Sequence, residues 1–548
     1  MIAAFALTLA VLSWGRSCDV LIDFGKELYV AWQVASGRRL YADLAYLHGP
    51  LSPHVNGLLM RGFGVSLRTL ELANLVVLGV VLTLLRRLLG ELAGARAATV
   101  ACLVFLPVFA FGHLTGIGNY NFVCPYTHEM THGLAIGLFG LYCLARGRLA
   151  AVGLAVGLSA LTKIEIFVPT ALALGGGAAL LLAREPAHRW RRAALWVGAA
   201  LLPVGMAALL LGRSAPQMLQ LARALAAGDA PGLRFFRAGM GTLDLPGSLA
   251  ALLAWTVAWA AFAGGLALVA LRVRGRGLAL IVFVLVSAGL VAARHAVDWP
   301  NAARPLPVAA ALAVVQAFRQ RAPLRLAFAL FALGLLGKMT LHARVHHYGF
   351  VLAAPATLLS VVAAVEWIPA AIARRGGAGG VFRAGALAVC VVLAAASLHR
   401  SAAFWHAKTE RVGTGADAFF ADPERGRAVN QALAELQATA PATLAVLPEG
   451  ATLNYLLRRP NPTPYDNFQP TDVIVFGEDA MLAAFAAHPP ARIALVHKDT
   501  SEFGYRFFGR DYAQRLGAWI RAYYRRASLI GSPPLWDQSF GIEILEPR

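Results

Sequence analysis

The residues best suited to acid–base chemistry lie near the amino terminus, within residues 17–68. Asp19, Asp23 and Glu27 are spaced four residues apart, and on a helix this spacing would place all three carboxylates along one face. Carboxylates stacked in this way repel each other unless a cation, a metal ion or a proton relieves the charge. The pattern therefore predicts a functional acidic site, and the competing interpretation is a solvated acidic face at a helix end.

The sequence around these acids is that of a membrane protein. Hydrophobic residues make up 58% of the 548 residues and charged residues only 14%, whereas soluble domains carry about 25% charged residues. The whole net charge of +20 lies before residue 400, because the tail after His399 holds sixteen cations and sixteen acids. The excess cations are scattered in short breaks between apolar runs, so they do not form the single basic face that would bind nucleic acid.

The apolar runs predict a polytopic α-helical protein with about 11–13 transmembrane helices, since about 20 apolar residues are needed to cross the hydrocarbon core. The candidate spans are 1–16, 69–85, 97–113, 130–145, 149–162, 166–183, 193–212, 248–271, 277–293, 303–317, 326–341, 349–370 and 384–399. Every second connecting loop is short and rich in arginine, and the facing loops hold the acids, aromatic residues and histidines. The positive-inside rule places the arginine-rich loops in the cytoplasm. The expected protein is therefore a multi-pass protein of the inner (cytoplasmic) membrane, with a cytoplasmic amino terminus and a periplasmic tail.

The tail has shorter apolar runs than the rest of the chain. Its patterns predict strands at 443–447, 472–476, 492–496 and 541–545, and helices at 450–459, 478–488 and 511–526. Strands that alternate with helices indicate a small α/β domain. We therefore expect a transmembrane core at 1–399, with a catalytic outer loop at 17–68, and an extracytoplasmic α/β domain at 400–548. Recognition or stabilisation suits that domain better than catalysis, because its acids share no motif spacing.

A family resemblance sharpens the interpretation of the first loop. It rests on the segments Asp23-x-x-x-Glu27-x-Tyr29, Ala35-Ser36-Gly37 and Gly49-Pro50-Leu51-Ser52-Pro53. These resemble the first outer loop of C-type membrane glycosyltransferases (the GT-C fold), in the branch of protein O-mannosyltransferases and aminoarabinose transferases. The family's acidic motif has two adjacent acids, whereas here Phe24 follows Asp23. The segments 119–122, 125–129, 161–165, 343–350 and 447–450 look like those of uncharacterised bacterial members.

The resemblance implies an enzyme that moves a sugar, a hexosyl or pentosyl unit, from a polyprenyl-phosphate donor to an acceptor at the outer membrane face, with inversion. The acceptor would be a lipid, a glycan or a protein, and the surrounding partners would be membrane lipids. An acceptor hydroxyl is a weak nucleophile, so a carboxylate must take its proton. Asp23 is the first choice for this general base, and Asp19 and Glu27 are the alternatives.

The leaving lipid phosphate needs cations, and the planar guanidinium of arginine grips phosphate in a bidentate way. Arg344 is the first candidate, since it lies in an outer loop between spans; Lys163, Arg294 and Arg304 are others. For each of these cations the competing interpretation is a side chain that extends to the lipid headgroups. The other residues expected to bind substrate are Glu129, as a second acid, His128, His346, Tyr29 and His48.

The resemblance implies a possible divalent metal ion, because some members of the family use one near the acids and others do not. The residues available as ligands are Glu27, His48, His128 and Glu129. A lone histidine in a loop more often makes a hydrogen bond than binds a metal.

Two other function classes stay open. A transporter or flippase of lipid-linked sugars would typically show paired repeats and helices broken at the membrane midplane. The sequence has no internal repeat, and its acids cluster in an outer loop. A non-catalytic envelope assembly protein would not need these acids, so their substitution would leave its function unchanged.

Overall fold

The apolar runs fold into a helical bundle in a computed structural model, which describes residues 1–184, 189–212, 230–273, 275 and 277–548. The helices before residue 408 are α1 Ile2–Leu12, α2 Phe24–Ala35, α3 Leu51–Phe63, α4 Leu67–Ala93, α5 Ala95–Phe105, α6 His128–Ala145, α7 Leu149–Ala160, α8 Ile164–Arg184, α9 Arg189–Leu211, α10 Ala230–Met240, α11 Leu245–Arg272, α12 Leu278–Ala292, α13 Leu306–Arg319, α14 Pro323–Leu335, α15 Gly349–Leu352, α16 Ala354–Val362, α17 Ile368–Arg374 and α18 Gly379–Ala407. Each of the thirteen predicted spans falls on one or more of these helices. Within the described ranges, seven helices are long and apolar enough to cross a membrane. The predicted fold class, a polytopic membrane protein, is confirmed, and the higher helix count stays a prediction.

Local signals explain where these helices begin and which face they expose. The hydroxyl of Ser66 accepts a hydrogen bond from the backbone N–H of Thr69 at 3.1 Å, which caps the first turn of α4. On α9, the side chains of Leu209 and Leu210 are 87% and 83% exposed. Apolar side chains exposed on this scale belong on a surface that faces lipid.

The arginine-rich loops gather at one end of the bundle. Arg146 pairs with Glu91 at 2.7 Å, and Glu366 pairs with Arg383 at 3.5 Å and with Arg96 at 3.9 Å. These ion pairs join loops that are far apart in the sequence. The arginine-rich loops thus lie at one end of the bundle, and the loops that alternate with them in the sequence lie at the other end.

The tail forms an α/β unit after α18, which runs to Ala407 and so passes the predicted boundary at residue 399. Its elements are β1 Glu410–Val412, β2 Phe419–Ala421, α19 Pro423–Thr439, β3 Leu444–Leu447, α20 Ala451–Leu457, α21 Pro470–Phe476, α22 Glu478–Ala487, β4 Arg492–Val496, α23 Gln514–Tyr523, β5 Tyr524–Gly531 and β6 Gly541–Pro547. β1 and β2 form a hairpin, and the main sheet has the order β3-β4-β6-β5, with β3 parallel to β4 and the other pairs antiparallel.

Two predictions for the tail are wrong. The run 472–476 is not a strand but the end of α21, because Pro470 lies at the first helical position and Gly477, with φ 84°, ends the helix. The helix predicted at 511–526 covers only Gln514–Tyr523, and the chain then enters β5, which the sequence did not predict. Pairing with β6, a contact made only in the folded unit, overrides the helical pattern there.

The α/β unit docks on the first loop. The backbone N–H of Asn461 donates to the hydroxyl of Tyr29 at 3.0 Å, and the N–H of Ala45 donates to the carbonyl of Pro464 at 2.9 Å. The Nζ of Lys408 donates to the carbonyl of Cys18 at 2.5 Å. The tail and the first loop therefore lie on the same side of the bundle, opposite the arginine-rich end.

Candidate functional site

Asp23 lies in a strained turn immediately before α2. Its backbone has φ 58° and ψ −72°, and the N–H of Phe24 donates to the carbonyl of Ile22 at 2.7 Å. This is a γ-turn with a positive central φ, which is rare and strained for an L-residue. Within the part of the chain that the structure describes, no donor is hydrogen-bonded to the Asp23 carboxylate. Such a carboxylate is free to accept a proton or to contact a ligand.

The charges around Asp23 make it a stronger base than an ordinary aspartate. Burial raises its pKa, the carboxylate of Glu449 raises it further, and Lys498 opposes both effects. Asp19 and Glu27 also raise the pKa. A carboxyl whose pKa moves toward neutrality is better matched to general-base chemistry.

Asp19 does not share a helix face with Asp23, so the predicted stacking of the three acids is wrong. α2 begins only at Phe24, and the carboxylate of Asp19 accepts the N–H groups of Leu21 and Ile22, both at 3.0 Å. Asp19 also pairs with Arg425 of the tail at 3.3 Å. Burial would raise its pKa, but Arg425 and these N–H groups lower it overall, so the Asp19 carboxyl is ionised near neutral pH and is bonded within the protein.

Glu27 faces the start of α6. Its Oε2 accepts the backbone N–H of His128 at 3.0 Å and lies 2.6 Å from the imidazole Nδ1 of the same residue. Burial raises the pKa of Glu27 to about 7, against the opposing effects of the His128 N–H and of Lys26. Its neighbour Glu129 accepts the hydroxyl of Tyr46 at 2.5 Å and a bond from Thr127. Both acids are thus already satisfied within the protein.

The four candidate metal ligands do not gather into a set. Glu27 and His128 contact each other, Glu129 turns to Tyr46, and the ring of His48 packs edge-on against Tyr46 at 5.8 Å. Among the described residues, no group of three or more His, Cys, Asp or Glu side chains could hold a metal ion.

A group of aromatic rings lies beside Asp23; Tyr120, Tyr126 and Tyr348 form what we term the tyrosine group. The ring centroids of Tyr126 and Tyr348 are 5.0 Å apart, and those of Tyr120 and Tyr348 are 5.9 Å apart. The charge of Asp23 acts on all three phenols. His347 packs on this group, 4.3 Å from Tyr120.

Two lysines contact the tyrosine group, and with Glu165 they form the lysine cluster. The Nζ of Lys163 donates to the hydroxyl of Tyr126 at 2.7 Å and pairs with Glu165 at 3.3 Å. The Nζ of Lys338 also pairs with Glu165 and lies 3.9 Å from the ring centre of Tyr348. One carboxylate therefore faces two ammonium groups, which leaves an excess positive charge for an anionic ligand.

Arg344 adds a third cation to this region. Its guanidinium contacts the Nδ1 of His342 at 3.3 Å, and its charge acts on Tyr120 and Tyr348. Burial and the charge of Arg344 lower the pKa of the neighbouring His346 to about 4, so this imidazole is neutral near pH 7.

The remaining predicted residues make hydrogen bonds within the protein. Tyr29 is 1% exposed, and its hydroxyl is engaged by Asn461. Arg304 donates to the carbonyl of Leu341 at 2.9 Å, and Arg294 donates to the carbonyl of Val291 at 3.1 Å on an exposed surface. Each of these side chains therefore has a hydrogen-bond partner within the protein.

Three residues near the site, Glu449, Lys498 and Lys338, carry no signal in the sequence that predicts a role there. Glu449 Oε1 accepts the backbone N–H of Asp23 at 3.0 Å, and Glu449 Oε2 pairs with Lys498 at 3.0 Å. The segment 447–450 shows only a family likeness in the sequence, and nothing in its spacing connects it with Asp23. The tail, expected to recognise or stabilise, thus contributes charged side chains directly beside the candidate base.

No protein-family model matches the chain, and no curated protein matches it in sequence. The fold is similar to the crystal structure of ArnT from Cupriavidus metallidurans bound to undecaprenyl phosphate, with 15% identity, a TM-score of 0.48 and coverage of 99% of this chain and 97% of that one. ArnT in the apo state gives 14% identity, a TM-score of 0.47 and the same coverage. The Archaeoglobus fulgidus oligosaccharyltransferase in complex with Zn and sulfate gives 13% identity and a TM-score of 0.47, over 90% of this chain and 67% of that one. At these identities and scores the likeness concerns the overall course of the chain, and residue roles rest on the contacts described above.

Proposed function

We propose that this protein is an inverting glycosyltransferase that moves a sugar from a polyprenyl-phosphate donor to an acceptor at the periplasmic face of the inner membrane. The observation that carries the proposal is the Asp23 carboxylate, held in a strained turn and bonded to no donor in the described part of the chain. Its pKa is raised by burial and by Glu449. The resemblance of the first loop to C-type glycosyltransferases supports the same reaction class.

In the proposed reaction, Asp23 takes the proton of the acceptor group as its oxygen or nitrogen attacks the anomeric carbon of the donor sugar. The bond from that carbon to the lipid phosphate breaks on the opposite face, so the configuration inverts and the polyprenyl phosphate leaves with its negative charge. Lys163, Lys338 and Arg344 supply cations for that charge, and desolvated surroundings strengthen each contact.

The tyrosine group adjoins both the base and the cations, since the charge of Asp23 acts on its phenols and Lys163 and Lys338 contact it directly. A sugar bound against these rings would have its acceptor side at Asp23 and its phosphate at the lysine cluster. We propose this pose because a single displacement requires the acceptor and the leaving phosphate on opposite sides of the anomeric carbon.

The test is sugar release by the purified full-length protein in detergent from a panel of polyprenyl-phosphate sugars. We expect Asp23→Asn to lower turnover roughly 10²- to 10⁴-fold, the usual contribution of a general base. Asp43→Asn is the matched control, because Asp43 lies in the same loop and, among the described residues, pairs with Arg39 in a partly exposed ion pair.

Unchanged turnover in Asp23→Asn would move the base to Asp19 or Glu27. Transport of lipid-linked sugars across liposomes by a protein without transferase activity would replace the proposal with a flippase. Full function in envelope assembly after loss of all three acids would identify a non-catalytic assembly protein.

A further inference from the structure

Glu449 reaches the candidate base from the opposite end of the chain. It lies just after β3, and its Oε1 accepts the backbone N–H of Asp23 at 3.0 Å although 426 residues separate the two. Its other oxygen pairs with Lys498, which follows β4, so the sheet of the tail fixes the position of this carboxylate. Glu449 is 8% exposed, so solvent competes little for this bond.

The Asp23 turn has a strained backbone that requires contacts from its surroundings. A residue in a sparsely populated backbone conformation persists only where its surroundings over-determine it. Asp23, with φ 58° and ψ −72°, is such a residue, and the Glu449 bond acts on its own backbone N–H. The local bond from the Phe24 N–H closes the turn but does not fix its orientation in the site.

A second contact, between Gly25 and Thr452, lies on the other side of the turn. The start of α20 packs against Gly25 so closely that a Cβ on Gly25 would meet the hydroxyl and the backbone N of Thr452. Gly450, with φ 145°, lets the chain turn from Glu449 into α20. The segment 449–452 therefore touches the chain on both sides of the turn, at Asp23 and at Gly25.

We propose that Glu449 is a positioning residue that sets the conformation of the Asp23 turn from the α/β unit, so that the catalytic site is complete only when this unit is docked. The inference rests on the proposed function, in which Asp23 is the general base. It gives the tail a role in catalysis that goes beyond recognising the acceptor.

The charge of Glu449 adds a readout that a purely structural contact would not produce. The charged and titratable groups that face Asp23 are Glu449, Lys498, Asp19, Glu27 and the phenols of Tyr120, Tyr126 and Tyr348. Glu449→Gln keeps an oxygen that can accept the Asp23 N–H but removes a carboxylate that raises the pKa of Asp23. Because the base works only when ionised, the acid limb of the pH–rate profile should then move to lower pH.

The experiment compares full-length wild type, Glu449→Gln, Glu449→Ala and Glu478→Gln in detergent. Glu478 is the matched control, since its Oε1 accepts the backbone N–H of Leu516 at 2.9 Å within the tail. Turnover is measured against pH, and hydrogen exchange is followed on the peptide that covers residues 19–28.

We expect Glu449→Gln to keep its plateau turnover with the acid limb at lower pH. We expect Glu449→Ala to lose roughly 10²-fold in kcat, the cost of misplacing a reacting group by about 1 Å, with faster exchange at 19–28 and little change in donor KM. Wild-type exchange at 19–28 in Glu449→Ala would overturn the proposal, and so would an unmoved acid limb in Glu449→Gln. Absence of turnover by wild type with every donor would contradict the proposed function alone, and the exchange data would still decide the role of Glu449.

Discussion

At the residue scale, three acids with one spacing have three different environments. Asp19 is ionised by Arg425 and backbone N–H groups, Glu27 is bonded to His128, and only the Asp23 carboxylate is open. Pairs of titratable groups whose surroundings push their pKa values apart are the usual way in which acid and base roles are assigned. The structure therefore separates acids that the sequence treats alike.

Glu27 should make the stability of the protein depend on pH. Its pKa rises from 4.5 to about 7 on folding, so between these values the folded protein keeps a proton that the unfolded chain has released. Stability from this group is full below pH 4.5 and falls as the pH rises toward 7, by up to roughly 3 kcal/mol. Glu27→Gln should therefore raise the melting temperature relative to wild type more at pH 8 than at pH 5, measured by scanning fluorimetry in detergent. An equal difference at both pH values would contradict this assignment.

The lysine cluster should act on the donor phosphate. Replacing Lys338 by Met removes a charged contact worth about 1.5–3 kcal/mol, so we expect kcat/KM for the donor to fall roughly 10- to 100-fold. Initial rates over a donor series measure the effect. Arg294→Met is the control, because Arg294 is an exposed cation bonded to the carbonyl of Val291; an equal loss in both variants would show a general charge effect on the membrane surface.

At the scale of elements, the site depends on the close approach of the amino-terminal ends of α2 and α20. α2 and α20 meet at Gly25 and Thr452, where the absence of a side chain on Gly25 permits the contact. The tail also anchors the start of α4, because the carboxylate of Asp417 accepts the backbone N–H of Leu67 at 2.7 Å. The first loop is thus held at two points by the unit that follows the last span.

Gly25→Ala should weaken this docking. The added methyl would meet the backbone of Thr452, which cannot move aside as a flexible side chain can, so we expect a loss of about 1–3 kcal/mol in stability together with reduced turnover. Thermal unfolding and sugar release measure the two effects. Gly62→Ala is the control, since Gly62 lies in α3 with no atom within 4 Å of an added Cβ, and its melting temperature should stay unchanged or rise.

At the scale of the whole molecule, the bundle separates two kinds of loop. The arginine-rich loops meet at one end, and the first loop, the tyrosine group, the lysine cluster and the tail meet at the other. A site built from loops at one membrane face can receive a lipid-linked donor from the bilayer and an acceptor from the water phase.

This arrangement predicts the labelling of single cysteines by a membrane-impermeant thiol reagent in intact cells with an opened outer envelope. Ser36→Cys in the first loop and Gln437→Cys in the tail, both at exposed positions, should react, because the orientation that we propose places both on the periplasmic side. Arg375→Cys, exposed in an arginine-rich loop, should react only after the membrane is permeabilised. If one of Ser36→Cys and Gln437→Cys reacts in intact cells and the other does not, the docked arrangement of loop and tail is contradicted.

The sequence by itself determined the helical membrane part and the presence of an α/β tail. Membrane spans can be located from local hydropathy, because each must satisfy its own backbone hydrogen bonds and present about 20 apolar residues to lipid. The strand at 492–496 is likewise found with the predicted bounds. The choice of Asp23 as the base stays a prediction, made from a motif and from spacing.

Only the tertiary structure decided which groups surround Asp23. Glu449 is 426 residues away from it in the chain, and the partners of Glu165 come from the turn before α8 and from the turn after α14. The run 472–476 became a helix because Pro470 and Gly477 set its ends. The orientation of a side chain and the pKa of a carboxyl depend on neighbours that fold in from distant segments, and no local pattern in the sequence contains that information.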